Sequence, residues 1–168
     1  MRALLPALLL VFLAAPAGAQ SAGNAPPRIG GGLEVSSAIL SQDLVPDGAA
    51  IGLRGRVALP VNADVSVAAS VGVSTHLFDG RNDADTVLNP QVSAIVTLPG
   101  GSAARYVLGG LGGFVPFSGG GGGPSLHVGY GVAIPLYESS LFFEINPSLI
   151  IGEEETTPVL ALRGGVIF

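Results

Sequence analysis

The chain has 168 residues, enough for one domain and too few to expect two. Apolar residues make up 48% and charged residues only 11%, against roughly 25% charged in an average soluble domain, and every basic residue is arginine. So apolar a chain is not disordered; the absence of cysteine excludes disulfides, thiolate metal sites and a cysteine nucleophile; a net charge of -5 argues against nucleic acid as a partner.

The first segment, MRALLPALLLVFLAAPAGAQ, joins one basic residue, an apolar run from Ala3 to Ala15 and the small-x-small triplet Ala17-Gly18-Ala19. This is the pattern of an export signal over residues 1–19, cleaved near Ala19-Gln20. The run is short for a membrane helix and contains Pro6. Residues 20–27 read as a flexible N-terminal arm, and 28–168 as the folded domain.

From Arg28 onward the pattern has strand period, in eight segments of about ten residues, the length that a tilted membrane strand needs. In the first, Ile29, Leu33, Val35 and Ile39 share a face. In the second, Ile51, Leu53, Val57 and Leu59 oppose Arg54 and Arg56. The third sets Val65, Val67, Ala69, Val71, Val73 and Leu77 against Ser66, Ala68, Ser70, Gly72, Ser74 and His76. The fourth sets Leu88, Val92, Ala94, Val96 and Leu98 against Asn89, Gln91, Ser93 and Thr97. The fifth is the least regular; its bulky residues Tyr106, Leu108 and Phe114 are assigned to the apolar face and Arg105 to the other. The sixth opposes Leu126, Val128, Tyr130, Val132, Ile134 and Leu136 to His127, Gly129, Gly131 and Ala133. The seventh opposes Leu141, Phe143, Ile145, Leu149 and Ile151 to Glu144, Asn146 and Ser148. The eighth, LALRGGVIF, has Leu160, Leu162, Val166 and Phe168 on one face and Arg163 on the other. Pro90, Pro135 and Pro147 fall inside strands and predict bulges or gaps in the ladder.

The connections alternate. VNA, PGGSA and YESS are tight turns, whereas SQDLVPDG, DGRNDADT, SGGGGGPS and GEEETTP are longer, three of them acidic. This is the rhythm of an up-and-down meander.

Alternation alone does not say which face is wet. A soluble lipocalin-like barrel, binding an apolar ligand, turns its apolar face inward and a charged face to water. A transmembrane barrel does the reverse. The non-apolar faces here are mostly Gly, Ala and Ser, a poor solvent surface but a good filling for a narrow eight-stranded lumen. The mid-strand charges agree: if the eighth strand closes on the first, Glu34, Arg54, Arg56, Glu144 and Arg163 meet on one inner wall, where buried carboxylates and guanidiniums must pair. They would plug the lumen. Tyr106, Tyr137, Phe143 and Phe168 at one end, and Phe78, Phe114 and Phe117 at the other, read as two interfacial girdles.

With the export signal, the eight alternating strands, the alternating connections and the terminal LALRGGVIF, the chain resembles the small eight-stranded outer-membrane barrels of bacteria, the OmpA/OmpX type, over residues 28–168. The resemblance implies an all-β, antiparallel up-and-down transmembrane barrel in the outer membrane. It implies a monomer among outer-membrane lipid and lipopolysaccharide, with a structural or surface-interaction role. It also implies that Leu160, Leu162, Val166 and Phe168 form the signal read by the outer-membrane assembly machinery. No cofactor is implied.

Some barrels of this kind are lipid hydrolases. The only histidines, His76 and His127, fall near the long-loop rim with Ser74 and Ser125 two residues away on the same face. A hydrolase needs a nucleophile, a base and an orienter in reach. The order here is Ser-x-His, not the deacylase's His-x-Ser, and the expectation is a non-enzymatic protein with polar rim residues. A metal site from His76 and His127 would join strands that are not neighbours. Glu153, Glu154 and Glu155 read as a solvated acidic loop, and the SGGGGGP loop lacks the Lys of a phosphate cradle.

Overall fold

The computed structural model describes residues 25–39, 49–77, 86–117, 122–152 and 155–168. The export signal, most of the N-terminal arm, Phe78 and most of the longer connections lie outside the described residues. Eight strands, β1 (Arg28–Ala38), β2 (Ala49–Pro60), β3 (Val65–Leu77), β4 (Thr86–Leu98), β5 (Ala104–Pro116), β6 (Gly123–Leu136), β7 (Ser139–Ile151) and β8 (Thr156–Ile167), form a closed barrel in sequence order. Every neighbouring pair is antiparallel, including β8 against β1. Closure leaves no free sheet edge.

The tight turns carry their own local chemistry. Asn62 Oδ1 accepts hydrogen bonds from the backbone N–H of Asp64 at 2.9 Å and of Val65 at 2.8 Å, an Asx turn that reverses the chain between β2 and β3. Gly100 and Gly101, at φ of 103° and 91°, turn β4 into β5 in a conformation that glycine adopts without steric cost. Tyr137, at φ 50°, occupies the left-handed region in the two-residue link from β6 to β7.

The apolar face is the outer face. Leu33, Leu53, Val71, Leu111, Val128, Phe143 and Leu162 are all exposed, while Glu34, Arg54, Ser70, Gln91, Glu144 and Arg163 are buried inside. A lipocalin-like interior, lined by the apolar face, is therefore not what this barrel has. The prolines leave gaps without register slips. The β4–β5 ladder skips Asn89 and Pro90, and the β6–β7 ladder skips Asn146 and Pro147, whereas Pro135 stays opposite Ser140.

One strand is assembled the other way round from the sequence expectation. Tyr106, Leu108 and Phe114 of β5 point inward and are buried, and Arg105 is exposed on the outer face. The reason lies on β6. Tyr106 stands opposite Gly131, Leu108 opposite Gly129 and Phe114 opposite Gly123, while the inward His127 stands opposite Gly110. Bulk on one strand is matched by glycine on the other, so large inner side chains fit the narrow lumen. A Cβ on Gly131 would run into the Tyr106 ring. Tyr106 and Phe114 accordingly leave the aromatic girdles, and Tyr137, Phe143 and Phe168 remain exposed near the tight-turn end and Phe117 near the other.

Candidate functional site in the lumen

The five charged residues expected on one inner wall come together. Strand register does most of the work. Arg163 of β8 lies directly opposite Glu34 of β1 and directly opposite Glu144 of β7. Its Nε donates to Glu34 Oε2 at 2.6 Å and its Nη1 to Glu144 Oε1 at 2.8 Å. Arg54, diagonal to Glu34 on β2, donates from Nε to the same Oε2 at 2.7 Å. Arg56 reaches across the lumen from β2 and donates from Nη2 to both oxygens of Glu144, at 2.8 and 3.1 Å. The result is a linear alternation of charge: Arg54, Glu34, Arg163, Glu144, Arg56.

Neutral groups complete the cluster. Arg54 donates to Ser70 Oγ at 3.1 Å, Gln91 Oε1 at 3.2 Å, the Asn89 carbonyl at 3.3 Å and Asn89 Oδ1 at 2.9 Å. Gln91 Oε1 also accepts from Arg163 Nη2 at 3.2 Å. The Tyr106 hydroxyl donates to Glu144 Oε2 at 3.2 Å, and Asn146 Nδ2 to Glu144 Oε1 at 3.4 Å. Space for Arg54 comes from Gly72, where a Cβ would sit 2.6 Å from the guanidinium. Sequence reasoning found the charges but not these partners. Ser70, Asn89, Gln91 and Asn146 were on the inner face, but their depth follows from register; Tyr106 was hidden by the reversed face of β5. Buried charge is tolerated only when paired and hydrogen-bonded in this way.

The cluster divides the lumen. Toward the longer connections lies a cavity of about 20 Å³ lined by Ser36, Ser74, His76, Phe114 and Ser148 among others. Toward the tight turns lies a larger one, about 80 Å³, bordered by Arg28, Arg56, Ala58, Tyr106, Ala133 and Phe142 among others.

The histidines do not form the pairs that their spacing suggests. His76 packs edge-on against Phe114, with ring centroids 6.4 Å apart at 71°. His127 is buried and joined to Ser93 of β4, Nε2 to Oγ 2.8 Å, rather than to Ser125. Its Nδ1 has no hydrogen-bond partner among the described residues, so the Ser93–His127 pair lacks the orienting group of a triad. Among the described residues no group of three or more His, Cys, Asp or Glu side chains is placed to hold a metal ion.

Solved structures share this architecture. Neisserial surface protein A, NspA, superposes with a TM-score of 0.64 at 14% identity, over 84% of this chain and 94% of that one. The chain has the fold of the small eight-stranded outer-membrane β-barrels. The N-terminal β-barrel domain of Pseudomonas aeruginosa OprF superposes with a TM-score of 0.54 at 17% identity, over 84% of this chain and 97% of that one. Ail, the attachment invasion locus protein of Yersinia pestis, in complex with the heparin analogue sucrose octasulfate, gives a TM-score of 0.54 at 15% identity, with coverage of 84% and 97%. No protein-family model matches the chain, and no curated protein matches it in sequence.

Proposed function

We propose that this protein is exported by a cleaved signal over residues 1–19 and resides in the outer membrane as a monomeric, non-enzymatic β-barrel. Its role is structural or surface-interacting, through the longer connections. The observation that carries the reading is the inversion of polarity: Leu53 is 67% and Val128 61% exposed on the outside, while Glu34 and Glu144 are 6% and 4% exposed inside. Water penalises that outer surface and lipid does not. In this orientation the tight turns face the periplasm and the longer connections face outward, against lipopolysaccharide.

The Arg54–Glu34–Arg163–Glu144–Arg56 chain is the plug in this reading. Eight strands leave little lumen, and the charges close its middle between the two cavities. Leu160, Leu162, Val166 and Phe168 serve as the assembly signal, presented on the lipid face of β8 to the outer-membrane assembly machinery. The Ail complex with a sulfated sugar supports a surface-interaction role for this architecture. Fractionation tests the proposal. The protein should stay in the outer-membrane pellet after a carbonate wash, and its release into the soluble fraction would overturn the reading.

A further inference from the structure

The charge chain in the lumen has two ends, both guanidiniums, and they are capped differently. Arg54, at one end, is surrounded by the neutral acceptors of Ser70, Asn89 and Gln91. Arg56, at the other end, has Glu144 as its only ion-pair partner among the described residues, stands over the Phe142 ring at 5.8 Å, and borders the tight-turn cavity. Its nearby hydroxyl, that of Tyr106, commits its proton to Glu144. Arg56 also has the least buried side chain of the five, 12% exposed against 7% or less for the others.

The sum of charges is unbalanced. Three guanidiniums, Arg54, Arg56 and Arg163, face two carboxylates, Glu34 and Glu144. Arg28 at the cavity mouth adds a further positive charge. A positive excess inside a narrow barrel is costly unless an anion meets it. The cavity beside Arg56 has the shape of a small amphiphile's site. Its walls include Ala58, Ile95, Ala104, Ala133, Phe142 and Ile167, with Arg56, Tyr106, Ser66 and Thr97 as polar groups and Arg28 at the mouth.

We propose that this cavity binds a short-chain monocarboxylate, the carboxylate meeting the outer side of the Arg56 guanidinium and the alkyl group lying against Phe142 and the alanines. Size sets the class. A cavity of about 150 Å³ holds benzene, so about 80 Å³ encloses little more than a carboxylate head, and a short alkyl end of one or two carbons lies toward the open mouth beside the exposed Arg28 and Ala104. Chloride satisfies the charge but not the apolar walls, and the corresponding neutral amide satisfies the walls but not the charge. The inference rests on the lumen alone and does not depend on the membrane assignment.

The test is a titration of the folded, detergent-solubilised protein with sodium propionate, followed by the methyl NMR signals of Ala58, Ala104 and Ala133. Propionate should shift them saturably, with half-saturation on the order of 1 mM, and propionamide and sodium chloride should not. Arg56→Met should abolish the response. Ala133→Leu keeps every charge and fills the cavity; read on the Ala58 and Ala104 methyls, it should abolish the response too, and it decides the matter if Arg56→Met does not fold. No saturable shift in the unaltered protein up to roughly 100 mM, an equal response to chloride, or a response retained in Ala133→Leu overturns the proposal.

Discussion

Arg163 and Glu144 stand directly opposite each other across the β7–β8 ladder and share a hydrogen bond of 2.8 Å at the centre of the lumen. Glu144 also holds Arg56, so one carboxylate serves two guanidiniums. Glu144→Ala should therefore leave two buried cations short of a partner and cost about 3–5 kcal/mol. Glu138, exposed in the β6–β7 turn, supplies the control, and Glu138→Ala should be near neutral. Urea unfolding followed by circular dichroism in detergent checks both; equal stability of the two variants would mean that the network adds nothing.

The face assignment on β3 is testable at adjacent positions. Val71 is half-exposed on the outer face, and Ser70 is buried and accepts from Arg54. Val71→Arg should cost about 2–4 kcal/mol in lipid, through charge at mid-bilayer depth. Ser70→Arg should act instead by crowding Arg54. Measured by unfolding from lipid bilayers, equal tolerance of arginine at Val71 and at Ser70 would show that the face assignment is wrong.

The reversed face of β5 predicts a coupling between strands. Gly131→Ala should destabilise by about 1–3 kcal/mol, because the added methyl meets the Tyr106 ring. In a Tyr106→Ala background the same change should be much milder. A double-mutant cycle should give a coupling of about 0.5–3 kcal/mol, and additive effects would place Tyr106 elsewhere.

Deletion of Phe168 alone should reduce the amount of folded barrel in outer-membrane fractions far more than it reduces the stability of barrel refolded in detergent. The residue is 73% exposed, so burial gives it little to lose; on the proposed role as an assembly signal, its loss is felt during assembly instead. Comparable losses in both assays would make its role merely structural.

Much of this architecture is legible in the residues. Where inner positions are Ser, Gly or Ala and outer ones Val, Leu or Ile, as in β3, period two fixes both faces at once. Arg163 could be set against Glu34 or Glu144 because it is the one charge of its strand and each carboxylate lies mid-strand on a strand beside it. β5 failed because Gly109, Gly110, Gly112 and Gly113 interrupt the alternation, leaving the bulky residues as the only cue to the apolar face. The cue that works is on the neighbour: the glycines of β6 recur where β5 is large. The Ser93–His127 pair was out of reach for a different reason. It joins residues 34 apart in sequence over Gly110 of the intervening β5, and depends on the register of two ladders rather than on any local spacing.

The β1–β8 seam has a consequence in time. Phe168 N–H donates to the Ile29 carbonyl at 2.7 Å, Ile29 N–H returns the bond at 3.2 Å, and Glu34 meets Arg163 across 129 positions of chain. No early hairpin can form that contact. The charges of Arg54 and Glu34 can meet as soon as β1 and β2 pair, but Arg163 arrives only with the last strand, so a half-made barrel carries an incomplete cluster and two open edges. Pairing of the first and last strands therefore completes two things together, the closed ladder and the charge cluster.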